Sequence, residues 1–163
     1  MLQKSILLSL LFLFTLNTAS ADSSLESDKV KSLVNTYLEA WATRDIQQVG
    51  KHYAENVAIY DLPSDSTIKG KKSVLKFEKE AWLDSVPDMV WVKTSSVSIS
   101  DNTATYEWIY TGTYTGDWWG QKIKNKTFSI KGISSTTFNN QGLITLQKDF
   151  YDIKSLEKQL GVK

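Results

Sequence analysis

From Val30 onward the apolar positions keep helical spacing. Val30, Leu33, Val34, Tyr37, Leu38 and Trp41 form one stripe over three turns, the recurrence of an amphipathic helix. Asp45 then stands where an N-cap would start a short second helix through about His52, with Ile46, Val49 and Tyr53 apolar. Val57 to Asp61 alternates as a short strand. Gly70 ends a polar connection, and Lys72 to Trp82 predicts a third helix carrying Val74, Leu75, Phe77 and Trp82.

After Pro87 the period changes from helix to strand. Met89–Ile99, Thr103–Tyr114, Lys122–Phe138 and Leu143–Asp152 are rich in Val, Ile, Thr and aromatics. Asp101-Asn102 and Asn139-Asn140-Gln141-Gly142 have the composition of hairpin turns. A last helix is expected from Ser155 to Leu160, stopped by Gly161. Helices followed by a run of long strands predict an α+β fold, with N-terminal helices packed on a strongly curved, mostly antiparallel sheet. Such curvature leaves a cavity between the layers, the natural place for a small-molecule site.

The first 21 residues stand apart from this pattern. Lys4, the apolar run Ser5 to Leu16 and Ala19-Ser20-Ala21 have the order of a cleavable secretory leader. The run is short for a membrane-spanning helix. The expectation is a signal peptide over 1–21, a single domain over 22–163, and an exported protein, periplasmic or secreted, with no stable membrane anchor after cleavage. Loss of Lys4 leaves 18 basic and 18 acidic residues, and no basic run points to nucleic acid. There is no cysteine, so neither disulfides nor thiolate chemistry enters the picture. The one histidine, His52, lacks a partner at metal-ligand spacing. No metal or other cofactor is called for.

Alternation assigns faces. Val57, Ile59 and Asp61 share one side of their strand, and Ile144, Leu146, Phe150 and Asp152 share one side of the last, although Lys148 falls there too. Phe128, Ile130, Ser134 and Phe138 line up on the strand before it. Tyr37 lies on the first helix's apolar stripe. Carboxylates and a phenol on apolar faces suit acid/base chemistry, because desolvation disfavours a carboxylate's charge and a phenol can support an enolate oxygen. Each has a structural alternative. Asp61 precedes Leu62-Pro63 and could close a turn. Asp152 could start the final helix, and Tyr37 could be core. Ala104, Tyr106, Trp108 and Tyr110 form an aromatic stripe that either lines the cavity or presents an interaction face.

Residues 36–77, TYLEAWATRDIQQVGKHYAENVAIYDLPSDSTIKGKKSVLKF, resemble the N-terminal half of the NTF2-like superfamily, closest to its SnoaL-like polyketide cyclase and ketosteroid isomerase branches. Gly112-Thr113-Tyr114-Thr115-Gly116 with Gly120 resembles the glycine-punctuated strand of SnoaL-like proteins. FYDIKSLEKQLG, residues 150–161, resembles their closing strand and helix. The resemblance implies an NTF2-like cone and a homodimer, with a small apolar molecule as ligand. It implies Asp61 at the isomerases' proton-shuttling aspartate, Tyr37 at their oxyanion tyrosine and Asp152 at the cyclases' acid/base aspartate. Ser134 falls near the isomerases' second oxyanion acid and cannot play a protonated carboxyl, and Tyr114 replaces the cyclases' histidine. The expected site is therefore Asp61, Tyr37 and Asp152, with Trp41, Tyr53, Ile59, Trp82, Ser134 and Phe150 lining the pocket. Isomerase- or cyclase-type chemistry on a carbonyl compound, ligand binding without chemistry, and a dimeric interaction module of the same fold are the readings this leaves.

Overall fold

The computed structural model describes residues 25–162; the leader expected over 1–21 lies outside them. The apolar stripe forms α1 (Ser27–Ala42), burying Val30, Val34, Tyr37, Ala40 and Trp41. Asp45 caps α2 (Ile46–Gly50), its carboxylate accepting from Gln47 N–H at 2.8 Å. Then come β1 (Tyr53–Asp61), β2 (Ser66–Lys69) and α3 (Lys71–Glu78). α3 does not run on regularly to Trp82. It widens into a π-helical turn over Lys79–Leu83, an irregularity that recurs at functional sites.

The second half is sheet, with β3 (Val90–Lys93), β4 (Ser98–Ser100), β5 (Thr103–Trp118), β6 (Gln121–Phe138) and β7 (Ile144–Tyr151), closed by α4 (Ile153–Leu160). Seven strands make one sheet in the order β2-β1-β7-β6-β5-β3, with β4 also on β5. Only β1 and β7 run parallel. The fold is α+β with a curved, mostly antiparallel open sheet, as expected.

One expected strand, Met89–Ile99, is two. Lys93 pairs with Trp108 and Ser98 with Thr105, so two more residues lie on the first strand than on its partner and the chain loops out at Thr94–Val97. The loop is held where Ser95 Oγ accepts from Glu107 N–H at 2.9 Å. The long β5–β6 hairpin bends at a register shift between Tyr114 and Gly116, and bulges increase local twist. Gly112 lets the Ser85–Met89 segment lie directly on β5, since a Cβ there would stand 2.3 Å from Val86 Cγ1.

The concave face carries Ala104, Tyr106, Trp108, Tyr110, Phe128, Ile130, Ser134, Thr136 and Phe138, all buried. Tyr106, Trp108 and Tyr110 are thus inside, and the reading that made them an exposed interaction face is overturned. Alternation puts Glu107 and Ile109 on the other side.

Candidate functional site

Between α1, α3, the π-helical turn and the concave sheet lies a cavity of about 480 Å3, well within the range of small-molecule sites. All six tryptophans of the chain, Trp41, Trp82, Trp91, Trp108, Trp118 and Trp119, line it. Edge-on ring contacts at 5.6 to 6.0 Å tie Trp41 and Tyr37 to Trp91, and Trp91 to Trp108, a favoured aromatic geometry.

Into this apolar surface project two acids, the first buried and the second half-buried, each at the end of a hydrogen-bond chain. The first is Glu78. Tyr37 and Tyr53 hydroxyls are 2.8 Å apart, and Tyr53 donates to Glu78 Oε1 at 2.6 Å. With its own proton given to Glu78, Tyr53 accepts that of Tyr37. Glu78 is 4 % exposed, and its Oε2 is buried with no partner. Burial, with a smaller contribution from Asp149, pushes its pKa up to about 8 against the bond from Tyr53. Tyr37 and Tyr53 are likewise pushed well above the ordinary phenol value, first by burial and then by Glu78.

The second acid is Asp149 on β7. Its Oδ1 accepts from Ser134 Oγ at 2.6 Å and Gln147 Nε2 at 2.9 Å. Ser134 in turn accepts from Trp108 Nε1 at 2.8 Å. Behind Gln147 stand Thr136 and Tyr106, at 2.6 and 3.2 Å along the chain. Burial raises the Asp149 pKa to about 6; the two bonds pull it down, and the charge of Asp61 pushes it up. Asp61 faces Asp149 directly across the parallel β1–β7 pair.

The sequence profile of the SnoaL-like polyketide cyclase family matches residues 31–160. The chain belongs to that family. None of the curated proteins matches it. Among solved structures it is similar to a protein described as a SnoaL-like polyketide cyclase from Shewanella denitrificans OS-217, at 20 % identity and TM-score 0.72, covering 82 % of this chain and 98 % of that one. A second so described, from Jannaschia sp. CCS1, gives 14 % identity and TM-score 0.73 over 86 % and 96 %. A protein with a ketosteroid isomerase-like fold from Catenulispora acidiphila DSM 44928, in complex with trimethylamine, gives 18 % and 0.66 over 80 % and 93 %. At these identities the likeness establishes the NTF2-like fold.

The cavity of this SnoaL-like chain contains some of the expected site residues and not others. Tyr37, Asp61, Trp41, Ile59 and Trp82 line it. Asp61 does so while also closing its turn, as Oδ2 accepts from Ser64 N–H at 3.1 Å and from Ser64 Oγ. Tyr53 and Ser134 stand one layer back, holding Glu78 and Asp149. Asp152 is a correction. It is exposed and caps α4, accepting from Ser155 N–H at 3.1 Å. Phe150 is another: its neighbours Asp149 and Tyr151 line the cavity, so alternation turns Phe150 to the far side. Both errors have one cause. Ile144 pairs with Phe138 and Leu146 with Thr137, leaving Thr145 as an extra residue that shifts the alternation by one.

Glu78, Asp149 and Tyr151 are among the lining residues that strand and helix patterns did not yield. The signal for Glu78 was present: Val74, Glu78 and Trp82 recur at four-residue spacing, placing an acid on an apolar stripe. Among the described residues no group of His, Cys, Asp and Glu could hold a metal ion.

Proposed function

We propose that the chain binds a small, largely apolar carbonyl compound in this cavity and moves a proton on it, as an isomerase- or cyclase-type enzyme does. The observation that supports the reading is the pair of acids, Glu78 buried and Asp149 half-buried, on the wall of one apolar cavity, where desolvation pushes their pKa values up to different heights, about 6 at Asp149 and about 8 at Glu78. Between those values Asp149 is an anion and Glu78 is neutral, so base and acid coexist in one desolvated cavity. Asp149 takes the proton from the carbon next to the carbonyl. Glu78, proton on the unpartnered Oε2, donates to the carbonyl oxygen as negative charge gathers there. Return of the proton from Asp149 to another carbon completes an isomerisation, and attack of the enolate on a second carbonyl would close a ring. Asp61 raises the basicity of Asp149 from across the strand pair.

The test is hydrogen exchange at carbons next to the carbonyl, followed by NMR in D2O, over cyclic enones and 1,3-dicarbonyls that quench the tryptophans. The exchange rate should rise through about pH 6 and fall through about pH 8. Asp149→Asn should lower it about 10²–10⁴-fold, and Asp61→Asn should move the acidic limb to lower pH. If ligands bind yet exchange no faster than with Asp149→Asn, the protein is a binder and not a catalyst. That second reading has one observation in its favour, the engagement of Asp61 in its own turn. Export through the leader belongs to the same proposal, and a mature chain beginning at Asp22 by intact mass would support it.

A further inference from the structure

The charge of the cavity wall narrows the ligand further, given the reading above that the cavity is the ligand site. Five acids line it, Asp61, Glu78, Glu80, Asp117 and Asp149, and no lysine, arginine or histidine among the described residues does. Asp117 has its own cation in Lys122 at 3.0 Å. Asp61, Glu78 and Asp149 pair with no described cation and meet only neutral donors. Glu78 Oε2 has no donor at all, although it is buried and its residue lines the cavity. An anionic ligand would add like charge to Asp61 and Asp149, whereas a cation would supply the counter-charge that the fold withholds from them.

The rest of the wall fits the same ligand. The negative face of an aromatic ring attracts cations, tryptophan most strongly, and desolvation strengthens the attraction. Here every tryptophan of the chain, with Tyr37, Tyr110, Tyr114 and Tyr151, surrounds one space. We propose that the ligand of this cavity carries a positively charged nitrogen, a tertiary or quaternary ammonium group on a largely apolar body.

The test compares two probes of one shape on the purified full chain. Benzyltrimethylammonium is a permanent cation, and neopentylbenzene is its neutral carbon isostere. Affinity is read by tryptophan quenching and calorimetry. The cation should bind at least about tenfold more tightly at pH 7.5. Its advantage should shrink about tenfold in Asp149→Asn, and shrink likewise between pH 7.5 and pH 5 as Asp149 takes up a proton. The groups facing Asp149 are Asp61 from β1, Glu78 from α3, Tyr106 from β5 and Tyr151 on its own strand. Of these, the two phenols stay neutral through that interval and Glu78, its pKa pushed up to about 8, stays mostly so. Glu78→Gln supplies a second isosteric variant should Asp149→Asn fold poorly, and it should reduce the cation's advantage only above about pH 8. Equal or tighter binding of the neutral probe would overturn the cationic ligand and leave the cavity as a ligand site. Failure of both probes to bind would overturn this proposal together with the reading of the cavity on which it rests.

Discussion

Burying Glu78 has a thermodynamic consequence that a single isosteric substitution exposes. Its carboxyl titrates near 4.5 in an unfolded chain and near 8 in the fold, chiefly because burial disfavours the anion. Below pH 4.5 both states hold the proton and the group contributes nothing to the pH dependence. Between 4.5 and 8 the unfolded chain releases the proton while the folded one keeps it. The unfolded state then binds fewer protons, so stability falls as pH rises. Above 8 both are ionised and the loss is complete. The interval, at about 1.4 kcal/mol per pH unit, comes to about 5 kcal/mol, a large share of the ~5–15 kcal/mol that holds a domain folded.

Glu78→Gln removes the titration and keeps the shape, with an amide oxygen still able to accept from Tyr53. At pH 4.5 wild type and variant should agree within about 1 kcal/mol. The variant should then gain steadily on wild type, reaching an advantage of up to about 5 kcal/mol by pH 9. Urea titrations at pH 4.5, 6, 7.5 and 9 measure the difference, and most other titrating groups cancel between the two proteins. A difference that stays flat across this range would refute the reasoning, because it would mean that Glu78 ionises in the fold as it does in water.

Three further outcomes are expected. Gly132→Ala places a Cβ 2.2 Å from the Trp108 ring, and should cost about 1–3 kcal/mol in urea denaturation while altering tryptophan emission; a change below about 0.5 kcal/mol would count against that packing. Asp152→Ala removes the cap of α4, and should lower stability by about 1 kcal/mol without altering ligand affinity or proton exchange, whereas loss of exchange in a folded variant would restore Asp152 to the site. Ser134→Ala removes a donor that lowers the Asp149 pKa, so the acidic limb of any exchange profile should move to higher pH, and an unmoved limb would detach Ser134 from the mechanism.

The helices and long strands were legible because their patterns are repeated and locally consistent. Val30, Val34, Tyr37 and Trp41 are buried as the stripe required, and Asp45 and Gly161 cap where their chemistry suggests. β2 was not legible, since Ser66-Thr67-Ile68-Lys69 holds a single apolar residue and is a strand only because β1 offers it an edge. The π-helical turn was hidden for a related reason. Its residues are ordinary helix formers, and what opens the turn is packing beyond it, where Ser85 and Val86 lie against β5.

The acids show most clearly what local pattern leaves out. Strict alternation from Ile144 carries Leu146, Lys148, Phe150 and Asp152 to the inner face, and a lysine in that set was the sign of a slip. With Thr145 inserted as a bulge, Lys148 leaves the inner face, and Gln147, Asp149 and Tyr151 enter it. The same register sets Gln147 against Ile59 and Asp149 against Asp61 on β1, and a one-residue change would turn Asp149 outward and leave Asp61 alone on its wall. No residue near Thr145 announces the bulge. It arises because β7 must match β6 on one side and β1 on the other, and between Tyr53 and Ala58 β1 itself slips against β7. Bulges gather beside active sites for this reason, since they re-aim side chains at no cost in composition. The juxtaposition of the two aspartates is therefore a property of three strands together, and it becomes visible only when all three are paired.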